Sequence, residues 1–352
     1  EDRDILAGKH ANTQIPKFVG LARRYELAGD ERDRLGAQNF WGMKVNHHSY
    51  VTGGNGNHEY LGEPDQLNDH LSDNTTESCN VYNMLKLSEH VFSWSKDPAI
   101  MDFYERALFN HIRASQHPQS GRVIYNLSLD MGGSKVYQDP YSFTCCVGSG
   151  MENHSKYSRN IYYHNDKELY AVQFIASRLH WMDKGVHIEL VTDFPEDDRM
   201  VYRMEAEQPV DFDFMIRYPH WAHMGIEVLV NGTEQPHDQE PGSFIGISRT
   251  WETGDVVEVR IPFSLRIETM PDNEKRIAVF HGPLILAADL GPVPDPGSND
   301  PLYVPVLMTR DRDPANWLVP VAGDFNTYLT SEVAHPRQVE LKPFYRIHDR
   351  HY

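Results

Sequence analysis

Three cysteines stand in the 352-residue chain, Cys79 alone and Cys145–Cys146 side by side. Thiolates are preferred ligands for soft dications such as zinc, and three of them with one carboxylate or imidazole complete a tetrahedral set. Glu77–Ser78–Cys79 offers a carboxylate two residues from a thiol. In an extended segment those side chains share a face, whereas inside a helix they diverge by about 200°. Thr75 or Thr76 is placed to cap a following helix, leaving Glu77 and Cys79 around its entrance. Cys145–Cys146 precedes Val147–Gly148–Ser149–Gly150, a turn expected to lead into a helix whose N-terminus would favour a thiolate. The spacing is not one of the diagnostic C-x-x-C patterns, so two other readings stay open at this point: three unrelated core thiols, or a vicinal disulfide. An odd, small number of cysteines argues against a disulfide framework.

A second group of residues has the chemistry of sugar cleavage. The glycine-rich run Thr52–Gly53–Gly54–Asn55–Gly56–Asn57 has no apolar period and can bring backbone close to a ligand. His58–Glu59–Tyr60–Leu61–Gly62–Glu63 follows it. Glycoside hydrolysis commonly pairs a carboxylic acid, which protonates the leaving oxygen, with a second group that attacks carbon. The plainer alternative is that Glu59 and Glu63 are solvated loop charges. The 19 His, 18 Tyr and residues such as Trp94, Trp181, Trp221 and Trp251 would suit a sugar pocket, although most aromatics belong in a core.

The elements that must position these groups change character along the chain. The spacing of Ile15, Phe18, Val19, Leu21, Ala22, Tyr25 and Leu27 predicts a helix over 11–28 that stops at Gly29. Asp30 is placed to cap a second helix, the apolar pattern over 77–95 predicts a third, and Asp97–Pro98 opens a fourth. A short helix is expected from Gly150 to Tyr157. From Leu169 the period falls to two, with strands expected at 170–175, 186–191, 212–218, 226–230, 256–261 and 277–280. The turns between them predict an antiparallel sandwich. The expected division is a helical domain over 1–165 and a β-sandwich region over 166–352. A loop or linker is expected at 291–301, with room for a second small β module after about 290.

Lys plus Arg is 33 and Asp plus Glu is 51, a formal net charge of −18. Phosphate and anionic-membrane surfaces call for clustered positive charge, so neither nucleic acid nor a membrane is an expected partner. No apolar run approaches the roughly 20 residues of a membrane helix. A soluble protein, cytoplasmic or periplasmic in a bacterium, is expected.

Several strings together resemble the β-L-arabinofuranosidase group of glycoside hydrolases, families 127 and 146. They are His10–Ala11–Asn12–Thr13–Gln14–Ile15–Pro16–Lys17, Ser49–Tyr50–Val51–Thr52–Gly53–Gly54 and Thr76–Glu77–Ser78–Cys79–Asn80–Val81–Tyr82–Asn83–Met84–Leu85–Lys86. Tyr104–Glu105–Arg106–Ala107–Leu108–Phe109–Asn110 and Ser142–Phe143–Thr144–Cys145–Cys146 complete the set, which is dense from about residue 10 to 180. The resemblance implies an α+β multidomain enzyme with an (α/α)6-barrel catalytic domain followed by β-sandwich modules. About five of the twelve helices of such a barrel can be counted here, as if its C-terminal half alone were present. It implies a zinc ion held by Glu77, Cys79, Cys145 and Cys146, with Cys145 as nucleophile in a retaining hydrolysis of β-linked L-arabinofuranosides from plant glycans. Matching on Pro64 and Leu67 assigns the acid/base to Glu59, with Glu63 as the alternative. His10 and Tyr125 match sugar-hydroxyl contacts. A homodimer, or a separate N-terminal half, would cover the exposed helix faces. The competing readings are a non-catalytic carbohydrate-binding remnant and the same fold with a purely structural zinc.

Overall fold

The computed structural model describes residues 3–294 and 302–352, so most of the stretch expected as a linker at 291–301 lies outside the described residues. Five α-helices occur among the described residues: α1 (Ala11–Ala28), α2 (Glu31–His47), α3 (Ser78–Ser95), α4 (Pro98–Ala107) and α5 (Cys145–Asn153). Gly29 ends α1 because its φ of 71° lets its N–H turn back to the Tyr25 carbonyl at 2.7 Å. The Asp30 carboxylate caps α2 by accepting from the Arg32 N–H. A π-helical turn, Leu108–Ile112, continues α4. No helix among the described residues is long and apolar enough to cross a membrane.

The chain divides into two compact units. The first holds residues 1–94, 103–154 and 265–352. Here Phe18 of α1 stacks on Phe40 of α2 with ring centroids 3.8 Å apart, and the Trp41 indole N–H of α2 donates to Ser88 Oγ of α3 at 2.9 Å. A six-stranded antiparallel sheet belongs to this unit, in the order Leu265–Met270, Asn273–His281, Leu284–Ala288, Glu340–Pro343, Tyr328–Thr330, Leu318–Pro320. Trp317, Leu286, Leu341 and Val279 form its core. Asn110 in the π-helical turn joins this sheet to the helices, accepting from the Ile285 N–H at 2.8 Å and donating to the Pro283 carbonyl at 2.9 Å. The Arg106–Glu268 ion pair at 2.6 Å is a second tie.

The second unit holds residues 95–102 and 155–264. One sheet runs Tyr162–His164, Glu168–Ala171, Val210–Tyr218, Ser243–Trp251. The other runs Ser177–Trp181, Val186–Val191, Arg199–Ala206, Val256–Arg260, Glu227–Val230, Thr233–Glu234. The sheets face each other through Trp181 against Phe212 and Tyr202 against Phe214, with Trp251 wholly buried. One pairing departs from the antiparallel expectation: Glu168–Ala171 lies parallel to Asp213–Ile216. The three intervening strands belong to the other sheet, so the chain returns to the first sheet by a crossover. The β region expected over 166–352 thus spans both units.

Candidate functional site

Cys79, Cys145 and Cys146 are brought together with Glu77, and one donor atom from each lies within 4.8 Å of the others. Glu77 is the last residue before α3. Its segment pairs with Asn126, and the Ser78 N–H donates to the Tyr125 carbonyl at 2.8 Å. This extended lead-in directs the carboxylate toward the cluster, while Cys79 in the first turn of α3 meets it from the helix. Thr76 just upstream is held at φ 57°, an uncommon conformation for a β-branched residue. Its N–H donates to the Gly56 carbonyl at 2.9 Å and its hydroxyl to the Leu127 carbonyl at 2.8 Å. Gly54 packs so closely that a Cβ there would lie 2.5 Å from the Thr76 Cβ.

Cys145 and Cys146 open α5, which therefore starts five residues before the expected helix at Gly150. The signal was Thr144, an N-cap whose hydroxyl accepts from the Val147 N–H at 3.4 Å. The Cys79 and Cys146 sulfurs are 3.1 Å apart, and those of Cys145 and Cys146 4.0 Å. Glu77 Oε1 lies 3.7 Å from the Cys145 sulfur and 3.8 Å from that of Cys146. In a tetrahedron built on metal–sulfur bonds of about 2.3 Å, the donors stand about 3.8 Å apart. Glu77 Oε2 is buried without a hydrogen-bond partner among the described residues, an expensive arrangement that a cation would relieve. The donor set and the orphaned oxygen both fit a metal ion.

Without a cation the cluster is electrostatically frustrated. Burial, and then the charge of Glu59, push the Glu77 carboxyl up. The Cys79 thiol is drawn down by its hydrogen bonds, first from Cys146 and also from Ser149 Oγ at 3.2 Å. Cys146 is pushed up by its hydrogen bond to Cys79 and by burial, and Cys145 is pushed up by burial above all. The three neighbouring thiols are thus driven apart, Cys79 down and Cys145 and Cys146 up. Cys145 differs from its partners in being exposed, while Cys79 and Cys146 are buried.

Glu59 stands beside this cluster. His58 and Glu59 adopt φ of 46° and 69°, and the Glu59 carbonyl accepts from the Ala11 N–H at 2.7 Å. That pairing sets the Glu59 carboxylate 3.6 Å from His10 Nε2. The Tyr125 hydroxyl donates to Glu59 Oε1 and lies 3.7 Å from the Cys145 sulfur, so one phenol touches both groups. Burial, and then this bond to Glu59, push the Tyr125 hydroxyl up, which keeps it protonated. Glu63 is exposed in the next turn, and among the described residues no contact joins its carboxylate to the cysteines. Sequence reasoning gave no part to Ser149 or Asn12. Asn12 Nδ2 lies 3.4 Å from Glu77 Oε1, and its own Oδ1 accepts from Asn83 Nδ2 at 2.8 Å. Asn12 lies two residues after His10, and that proximity was the available signal.

The family model described as the β-L-arabinofuranosidase GH127 catalytic domain matches residues 1–159. The model of the GH127 middle domain matches residues 168–263. No match is found among curated proteins. A solved structure described as a glycoside hydrolase is similar with a TM-score of 0.75 and 18% identity, over 97% of this chain and 64% of its own. One described as the GH127 β-arabinofuranosidase gives 0.76 and 20%, over 96% and 58%. A GH127 β-L-arabinofuranosidase from Geobacillus stearothermophilus T6 gives 0.75 and 19%, over 98% and 60%. At these identities the likeness is one of fold, and the chain spans about three-fifths of the length of these structures.

Proposed function

This chain belongs to the GH127 family of glycoside hydrolases, and from that premise we propose that it removes β-linked L-arabinofuranose from plant-type glycans with retention of configuration. The observation that carries the reading is the Tyr125 hydroxyl, which touches both Glu59 and the exposed sulfur of a four-donor cluster. With an ordinary hydroxyl–carboxylate bond of about 2.7 Å, the Cys145 sulfur and Glu59 Oε1 are at most about 6.4 Å apart. Inverting glycosidases separate their two groups by about 6.5–9.5 Å to admit water between them, and retaining ones use about 5–5.5 Å.

In this reading the Cys145 thiolate attacks the anomeric carbon while Glu59 gives its proton to the departing oxygen. The carbon–oxygen bond breaks as the carbon–sulfur bond forms. Glu59, now a carboxylate, then takes a proton from water, which attacks the same carbon and frees the thiolate. Tyr125, a donor to Glu59, steadies that carboxylate, and His10 and Tyr125 are proposed to hold sugar hydroxyls. Glu77, Cys79, Cys145 and Cys146 would hold zinc, the soft dication that three thiolates suit, and its charge would keep Cys145 deprotonated at neutral pH. Helices α1–α3 are read as part of an (α/α)6 barrel.

The test is an acid-quenched reaction with an aryl β-L-arabinofuranoside, followed by peptide mass spectrometry. A pentosyl adduct on the peptide bearing Cys145 is expected. Hydrolysis that persists in Cys145→Ala would overturn the mechanism, and glycan binding with no sugar released would favour a binding remnant.

A further inference from the structure

Lys44 is fully buried, and the reaction proposed above gives it no part. It lies in the last turn of α2, and its ammonium donates to Asn55 Oδ1 in the glycine-rich loop. The same oxygen accepts from Asn80 Nδ2 at 2.6 Å, and Asn80 follows Cys79 in the first turn of α3. Asn80 Nδ2 also lies 3.3 Å from the Asn55 carbonyl. Three elements of the first unit therefore meet at one amide oxygen. A buried ammonium is costly unless opposite charge stands near it, and a neutral amide supplies little. The carboxylates that favour its charge are Glu77, a member of the four-donor cluster, and Asp4. Burial outweighs them and draws Lys44 down to about 7.

Three thiolates and a carboxylate exceed the charge of a divalent cation by two, so a loaded cluster is itself an anion. We infer that Lys44 is the buried counter-charge of the loaded four-donor site and, through Asn55 and Asn80, the clamp holding the glycine-rich loop against the first turn of α3. It is a positioning residue: it touches neither substrate nor metal. The inference rests on the metal reading above, because the cluster carries that charge only when its donors surround a cation.

The test measures Co2+ affinity by thiolate-to-metal charge-transfer absorption against a competing chelator, in wild type, Lys44→Gln and Lys44→Met. Gln removes the charge but keeps a donor for Asn55, whereas Met removes both. Both variants are expected to bind Co2+ about tenfold to hundredfold more weakly, with the charge-transfer band and far-ultraviolet circular dichroism unchanged. Folded variants that bind within about threefold of wild type would overturn the inference, as expected of a lysine that only fills space. Weakening by Met alone would overturn the counter-charge and leave only the clamp. If Met prevents folding, Gln carries the test. A wild-type chain that binds no Co2+ would overturn the metal reading itself, a separate outcome.

Discussion

At the scale of single residues, chemically similar groups differ in placement, and the proposed division of labour follows that difference. Cys145 is the exposed thiol of the three, so Cys145→Ala should lower turnover by about 10^4-fold or more. Glu59→Gln should cost about 10^2- to 10^4-fold in kcat, the usual worth of general acid–base catalysis. Glu63→Gln should stay within about threefold, because its carboxylate has no described contact with the cluster. Steady-state kinetics on an aryl arabinofuranoside would check all three, and an inactive Glu63→Gln beside an active Glu59→Gln would reverse the assignment. Ser149 acts one step further out, with its hydroxyl 3.2 Å from the Cys79 sulfur. Ser149→Ala should weaken metal binding about tenfold, read by chelator competition, while leaving the fold intact.

At the scale of elements, what the sequence made legible follows from local physics. Gly29 and Asp30 mark the junction of α1 and α2 because a left-handed stop and a carboxylate cap act on their own neighbours. The two-residue period over 186–191 appears as a strand with those bounds, buried and part-buried in alternation through Leu190. The start of α5 at Cys145 was missed because two glycines, Gly148 and Gly150, read as a turn. Thr144 as cap outweighs them. The parallel pairing of Glu168–Ala171 was equally hidden, since register between residues 45 apart, Glu168 and Asp213, is decided by tertiary packing. The cysteine cluster lay between these cases: residue types named it, but spacing alone left unrelated core thiols open. Thr144→Ala should cost about 1 kcal/mol of stability in urea unfolding and loosen the turn that carries both cysteines. Gly54→Ala should destabilise by about 1–3 kcal/mol, because its Cβ would sit 2.5 Å from that of Thr76.

For the whole molecule, buried imidazoles set the response to acid. Burial draws His111 down to about 3, and His154 and His348 to about 4, against about 6.5 in an unfolded chain. Their native pKa values are depressed, so the unfolded chain binds more protons between those limits. The histidine contribution to stability is therefore full above about pH 6.5 and falls as pH drops toward 4, by up to about 1.4 kcal/mol per pH unit for the fully buried His111 and by less for the part-exposed His154 and His348. Glu77, whose carboxyl is raised, opposes this in the metal-free chain. Urea midpoints that fall between pH 7 and pH 5 are expected, and a flat profile would contradict the buried neutral histidines. The starts of α3 and α5 meet at the four donors proposed to surround one dication, with the exposed thiol among them. The most direct measurement is zinc per chain by elemental mass spectrometry, on wild type and Cys79→Ala purified without chelator or added metal. One zinc per wild-type chain and substantially less in the variant is the predicted result; a folded wild-type chain without zinc would contradict it.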